Sequence, residues 1–154
     1  MNTLENVFRI LDENKVEYKK IEHEPVRTSE EAAKIRGVPL KTGVKALLLK
    51  TKERFIMVLV PADRRVDIEK IEELEKSKKV RLATSQEVLE ETGCDVGGVP
   101  PFGHTKGGVH NQIKTYLDKE VFQSELANFN AGDRGVSVSM KAEDLKKVVY
   151  YILF

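Results

Sequence analysis

The segment Gly97-Gly98-Val99-Pro100-Pro101-Phe102-Gly103-His104 holds the residues of this chain best suited to chemistry without a charged nucleophile. Glycine reaches dihedrals closed to other residues and lets a ligand approach the main chain. Proline fixes φ and donates no hydrogen bond, so Pro100 and Pro101 stiffen the path and leave the remaining N–H groups aimed one way. Such a loop can present its N–H and C=O groups as a preformed cradle. A tight turn between two elements is the alternative reading of the same composition. His104 ends the segment, and an imidazole there can serve as acid, base or orienting hydrogen-bond partner near neutral pH.

Lys45 is the second candidate. It lies within Gly43-Val44-Lys45-Ala46-Leu47-Leu48-Leu49, and strand alternation puts Lys45, Leu47 and Leu49 on one face. A lysine among leucines snorkels to solvent, pairs, or points into a wet cavity. In the last case it places a cation for a phosphate or a developing negative charge. His23, in His23-Glu24-Pro25-Val26, is a pocket-lining or loop-contact candidate, and His110 is expected to be exposed. Cys94 follows Gly93 with no basic neighbour, so it reads as a buried, inert thiol. The cysteine and histidine spacing fits no zinc pattern, and no phosphate-loop or dinucleotide fingerprint is present. Neither a metal nor a cofactor is therefore expected.

The elements that must carry these residues follow from pattern. Residues 4–14 read as an amphipathic helix behind Thr3, and Val16 to Ile21 as a strand. Thr28-Ser29-Glu30-Glu31 is a capping box, with Gly37 placed to end a helix over 29–36. Val44 to Leu49 and Arg54 to Val60 form a hairpin, and Phe55 to Val60 has no polar face, so it should be covered on both sides. A helix runs from Asp67 to about Lys76, a strand from Val80 to Ala83, and a second capped helix from Thr84 to Gly93. Ile113 to Leu117 and Leu126 to Phe129 are strand candidates, and Asn130-Ala131-Gly132-Asp133 reads as a turn. Val136 to Met140 alternates with period two, as a half-buried strand does. A short helix near 142–147 precedes the apolar run Val148 to Phe154, which fits a last strand or a docked helical turn. Strands and helices interleave without a regular βαβ rhythm. The expected class is α+β, with a mixed, largely antiparallel, barrel-like curled sheet surrounded by helices.

A length of 154 residues suits one domain over 1–154, with 40% apolar and 33% charged residues. A net charge of +1 announces neither DNA nor a membrane surface, though a local patch can hide in a balanced total. A single cysteine allows no intrachain disulfide, and residues 1–5 show no secretory pattern, so a cytoplasmic location is expected.

Taken together, Arg36-Gly37, Gly43 to Leu47, Thr92-Gly93-Cys94 and the loop resemble the YbaK/aminoacyl-tRNA synthetase-associated domain family. This family includes the editing insert of bacterial prolyl-tRNA synthetases. Gly97 and Pro101 look like the ends of its Gly-x-x-x-Pro motif, and Asn130-Ala131-Gly132 like its late motif. The chain is most similar to the free-standing YeaK-type branch, which deacylates tRNA carrying a wrong small amino acid. The resemblance implies hydrolysis of the ester joining an amino acid to the terminal adenosine of tRNA. It implies that Lys45 engages the terminal nucleotide and its phosphate. Gly97, Gly98 and Pro101 would hold the carbonyl and the attacking water, and His104 would stand at the loop mouth. Val99, Pro100, Phe102, Gly103, Asn130 and His23 would contact substrate. The implied partners are the acceptor end of aminoacyl-tRNA and an aminoacyl-tRNA synthetase. A non-catalytic module binding either partner is the alternative.

Overall fold

The computed structural model describes residues 1–154. Its first helix, α1 (Thr3–Glu13), is capped by Asn2, whose side chain accepts from the Glu5 N–H at 2.8 Å. Thr3, expected as the cap, is instead the first helical residue. Strand β1 (Tyr18–Glu22) leads to α2 (Ser29–Arg36), which starts at the Thr28 cap and ends at Gly37 in the left-handed conformation. The hairpin is β2 (Val44–Lys50) and β3 (Phe55–Pro61). Helix α3 (Ile68–Glu75), the two-residue β4 (Arg81–Leu82) and α4 (Ser85–Thr92) follow. A small ribbon, β5 (Thr105–Lys106) with β6 (Val109–His110), lies beyond the glycine–proline loop. Then come β7 (Lys114–Leu117), β8 (Leu126–Asp133), β9 (Val136–Lys141), α5 (Leu145–Val148) and β10 (Tyr151–Leu153).

Two main sheets form. One is antiparallel, in the order β1-β9-β8, and the other is mixed, in the order β10-β7-β3-β2-β4. In the second, β7 pairs in parallel with both β3 and β10, while β2 pairs antiparallel to β3 and β4. The α+β class with a mixed, mostly antiparallel sheet is thus observed. The barrel-like closure is not: each sheet keeps two free edges, because only an isolated bridge, Gly43 with Asn128, joins them. The apolar run ending at Phe154 resolves as a strand.

The main core lies between the sheets and takes Met57 and Leu59 from β3, Phe129 from β8 and Val7 and Leu11 from α1. Ile56, Val58 and Val60 face the other way and pack with Ile71 of α3. Strand β3 is therefore covered on both faces, as its unbroken apolar run requires. Glu75 at the end of α3 accepts from Lys114 Nζ at 2.6 Å and from the Tyr116 hydroxyl, which ties that helix to β7.

Asn130 to Asp133 departs from the expected turn. These residues belong to β8, whose register to β9 shifts between Asn130 and Asp133. A bulge at that place bends the strand and re-aims its side chains. The turn follows at residues 134–135, where the Asp133 side chain accepts from the Gly135 N–H at 2.7 Å.

Candidate active site

A cavity of about 280 Å³ opens beside the free half of the β2 edge, where β4 has stopped pairing. Its wall includes Arg36 from α2, Lys45 from β2, Gly97 and Val99 from the loop, and Asn128 and Asn130 from β8. Fifteen of its 24 lining residues are apolar, and none is Asp, Glu, His or Cys. The volume sits at the low end for small-molecule sites, so it admits a small group rather than a nucleotide.

Lys45 is half-buried, and none of the ten ion pairs of the protein uses it. Its ammonium is free for a ligand.

The loop is braced from several sides. Gly97 adopts φ +91°, a backbone state that side chains resist. The Asn130 amide donates to the Gly97 carbonyl, and Asn130 Oδ1 accepts from Arg36 Nη2 at 2.9 Å. Arg36 Nε donates to Ser137 Oγ at 2.8 Å. His23 completes the chain. Its Nδ1 contacts the Glu24 carbonyl at 2.8 Å, which can only accept, so Nδ1 carries the proton. Nε2 then accepts from Ser137 Oγ at 2.7 Å. Asn130 alone touches this carbonyl, and Arg36, Ser137 and His23 brace Asn130 from behind. Arg36 has no carboxylate partner among the ion pairs. Burial lowers its pKa to about 10, which leaves the guanidinium charged at neutral pH and the cavity wall positive.

The rest of the loop turns away from this cavity. Pro100 and Pro101 are buried, and Phe102 sits in the main core, edge-on to Phe129 with ring centroids 5.7 Å apart. Gly103 passes so close to α1 that an added Cβ would lie 3.0 Å from Val7 Cγ2. Asn6 Nδ2 donates to the Gly103 carbonyl at 2.9 Å. His104 is 3% exposed, and its Nε2–H donates to the Pro100 carbonyl at 2.7 Å. Burial pushes its pKa down to about 4, so the ring is neutral at pH 7. Pro101, Phe102, Gly103 and His104 border a separate, more polar depression near Arg9 and Tyr150. Gly98 does not line the Lys45 cavity, and a Cβ on it would meet nothing closer than 3.4 Å. Cys94 is buried, and desolvation raises its thiol to about 11, which leaves it a poor nucleophile.

The structure therefore brings Lys45, Gly97, Val99 and Asn130 to one cavity, with His23 behind it. It sets Pro100, Pro101, Phe102, Gly103 and His104 in the scaffold of the loop. Sequence reasoning passed over Ser137, Asn128 and Arg27, and read Arg36 only as part of a motif. A buried serine in an alternating strand was the available signal for Ser137; for Asn128 and Arg27 there was none.

Fold and site together define an α+β domain with a small cavity lined by apolar side chains, amides and cations and by no Asp, Glu, His or Cys. The chain belongs to the aminoacyl-tRNA editing domain family, whose sequence profile matches residues 23–148. It is 30% identical over 152 residues to the multifunctional Ser/Thr-tRNA deacylase ProXp-y of Escherichia coli K12, covering 95% of this chain and 87% of that one. It is 27% identical over 151 residues to the prolyl-tRNA editing protein ProX of Acetoanaerobium sticklandii, covering 97% and 92%. A proline--tRNA ligase of Bacillus subtilis matches at 31% over 137 residues, 86% of this chain but 23% of the ligase. Among solved structures, a candidate trans-editing enzyme for prolyl tRNA synthetase superposes with a TM-score of 0.85 at 25% identity, covering 100% and 96% of the two chains.

Proposed function

We propose that this protein hydrolyses the ester of a mischarged aminoacyl-tRNA bearing a small amino acid, working in trans on the acceptor end. One observation carries the reading. A free lysine ammonium, a half-buried guanidinium and a braced glycine loop meet at a small cavity that contains no side-chain general base. An activated ester suits such a site. Positioning a water and stabilising the tetrahedral oxyanion supply most of the acceleration.

In this mechanism the amino-acid side chain enters the apolar part of the cavity. The main chain at Gly97 and Val99 orients the ester carbonyl and the water, with Asn130 fixing the loop. The Lys45 ammonium faces the charge that develops on the carbonyl oxygen, and the Arg36 guanidinium adds a positive field. The water oxygen bonds to the carbonyl carbon and the ester C–O bond breaks. The proton passes to the ribose oxygen that leaves, with the vicinal ribose hydroxyl as relay. His104 shapes the loop and takes no proton. Exposed Leu82 and Val96 at the rim offer apolar surface to the terminal base.

The names of the relatives support the substrate class: one acts on Ser/Thr-tRNA and another edits prolyl-tRNA. Nearly end-to-end coverage by both, against less than a quarter of the ligase, supports residues 1–154 as one editing unit acting in trans. The test is deacylation of seryl-, threonyl- and alanyl-tRNA carriers under single-turnover conditions, beside a large mischarged amino acid. Loss of small amino acids and retention of the large one is expected. Binding with no ester loss would support the non-catalytic module instead.

A further inference from the structure

The cavity takes only the end of its substrate, so the nucleotides before the ester must run across its rim. We infer that Arg27 and Arg134 form a clamp there for the phosphodiester backbone just upstream of the aminoacylated nucleotide. The inference rests on the deacylase reading and assigns residues that the reading does not use.

Both arginines flank the loop. The Val26 N–H donates to the Arg134 carbonyl at 3.1 Å, which holds the two segments side by side. A Cβ placed on Gly97 would lie 3.6 Å from Arg134 Cδ and 4.0 Å from the Arg27 carbonyl. A Cβ placed on Gly98 would lie 3.6 Å from Arg134 Cγ, so the Arg134 stem runs beside both glycines. Arg27 itself borders the cavity. Both are at least partly exposed, and neither guanidinium enters any of the ten ion pairs. No carboxylate lies within ion-pair distance of either guanidinium. Glu31 accepts from the Arg27 backbone N–H at 3.2 Å, and Asp133 from Gly135.

The other cations of the cavity are placed differently. Arg36 is committed to Asn130 and Ser137, and Lys45 lies on the strand inside. A chain of net charge +1 has no global field to attract RNA, so attraction must be local. A planar guanidinium fork suits phosphate oxygens.

The experiment compares the wild type with Arg27→Gln, Arg134→Gln and the double variant. Two substrates are used: mischarged seryl-tRNA, and 3′-O-seryl adenosine, which carries the same ester and no phosphate. With tRNA, the double variant should lose about tenfold or more in kcat/KM at low salt. Its plot of log kcat/KM against log salt should be shallower by about 1.4, at about 0.7 per single-strand phosphate contact. With the adenosine ester, all four proteins should react alike. An unchanged salt slope, or an equal loss on both substrates, would overturn the clamp. Absence of hydrolysis by the wild type on both substrates would instead overturn the deacylase reading, and the clamp with it.

Discussion

Lys45 and the loop glycines are the residues on which single substitutions speak most directly. Lys45 is half-buried and lacks an ion-pair partner, so Lys45→Ala removes no structural contact of note. If its charge meets the oxyanion, single-turnover deacylation should fall about 100-fold while the melting temperature hardly moves. A near-wild-type rate would remove Lys45 from the chemistry. The glycines should separate. Both were expected to serve through their missing side chains, yet only Gly97 has a positive φ and borders the cavity. Gly97→Ala should cost about 1–2 kcal/mol of stability, the strain of a left-handed side-chain residue, and most of the activity even well below its melting point. Gly98→Ala has ordinary contact space and should keep both. Equal damage from the two changes would show that the loop responds to bulk rather than to backbone conformation.

At the scale of elements, the Gly97 carbonyl is held by Asn130 of β8, which α2 and β9 brace in turn. Helix α2 delivers Arg36 from its last residue, because Gly37 stops the helix there. The bulge in β8 accompanies Asn130, and β9 supplies Ser137. Arg36→Gln should loosen the Asn130–Gly97 contact and remove the guanidinium charge from the cavity wall. We expect kcat to fall about tenfold with KM little changed, since misplacement at the reacting centre affects the chemical step. Arg36→Lys should not rescue it, because an ammonium cannot reproduce the fork to Asn130 and Ser137. Full rescue by lysine would mean that charge alone matters. The helix caps and the hairpin were legible because such signals are local, although only Thr84 closes a full capping box, since Glu31 accepts from the Arg27 N–H rather than from Thr28. The bulge was not: Asn-Ala-Gly-Asp has turn composition, and pairing with β9 overrode it.

At the scale of the whole molecule, His104 is a buried group whose titration ties stability to pH. Its ring is neutral and buried, with a pKa near 4 against an ordinary value of 6.5. A depressed pKa contributes stability that is present above about pH 6.5 and is lost as pH falls towards 4, since the unfolded chain takes up the proton first. The loss across that window is about 3 kcal/mol from this group. Urea unfolding at pH 7 and pH 4.5 should show it, and His104→Gln should flatten the pH dependence while leaving deacylation near neutral pH within a fewfold of wild type. A bell-shaped rate profile abolished by His104→Gln would return the histidine to the chemistry. No helix is long and apolar enough to cross a membrane.

The sequence by itself determined what short-range physics writes. It set the α+β class, the helix caps at Thr28 and Thr84, the two-sided burial of β3, and the pairing of a lysine strand with a glycine–proline loop. Its periodicities and turn residues act within a few positions of one another, so a single chain displays them. Tertiary structure alone decided which loop residues face the cavity and which serve as scaffold. His104 looked available but is locked to Pro100, and Phe102 looked like a contact but fills the core. It also decided that the sheets stay open and that Arg36 reaches Asn130 and Ser137 across 94 and 101 residues. Such contacts depend on how the sheets and α2 pack together, and no local pattern encodes the distance between residues that meet only after the core has formed.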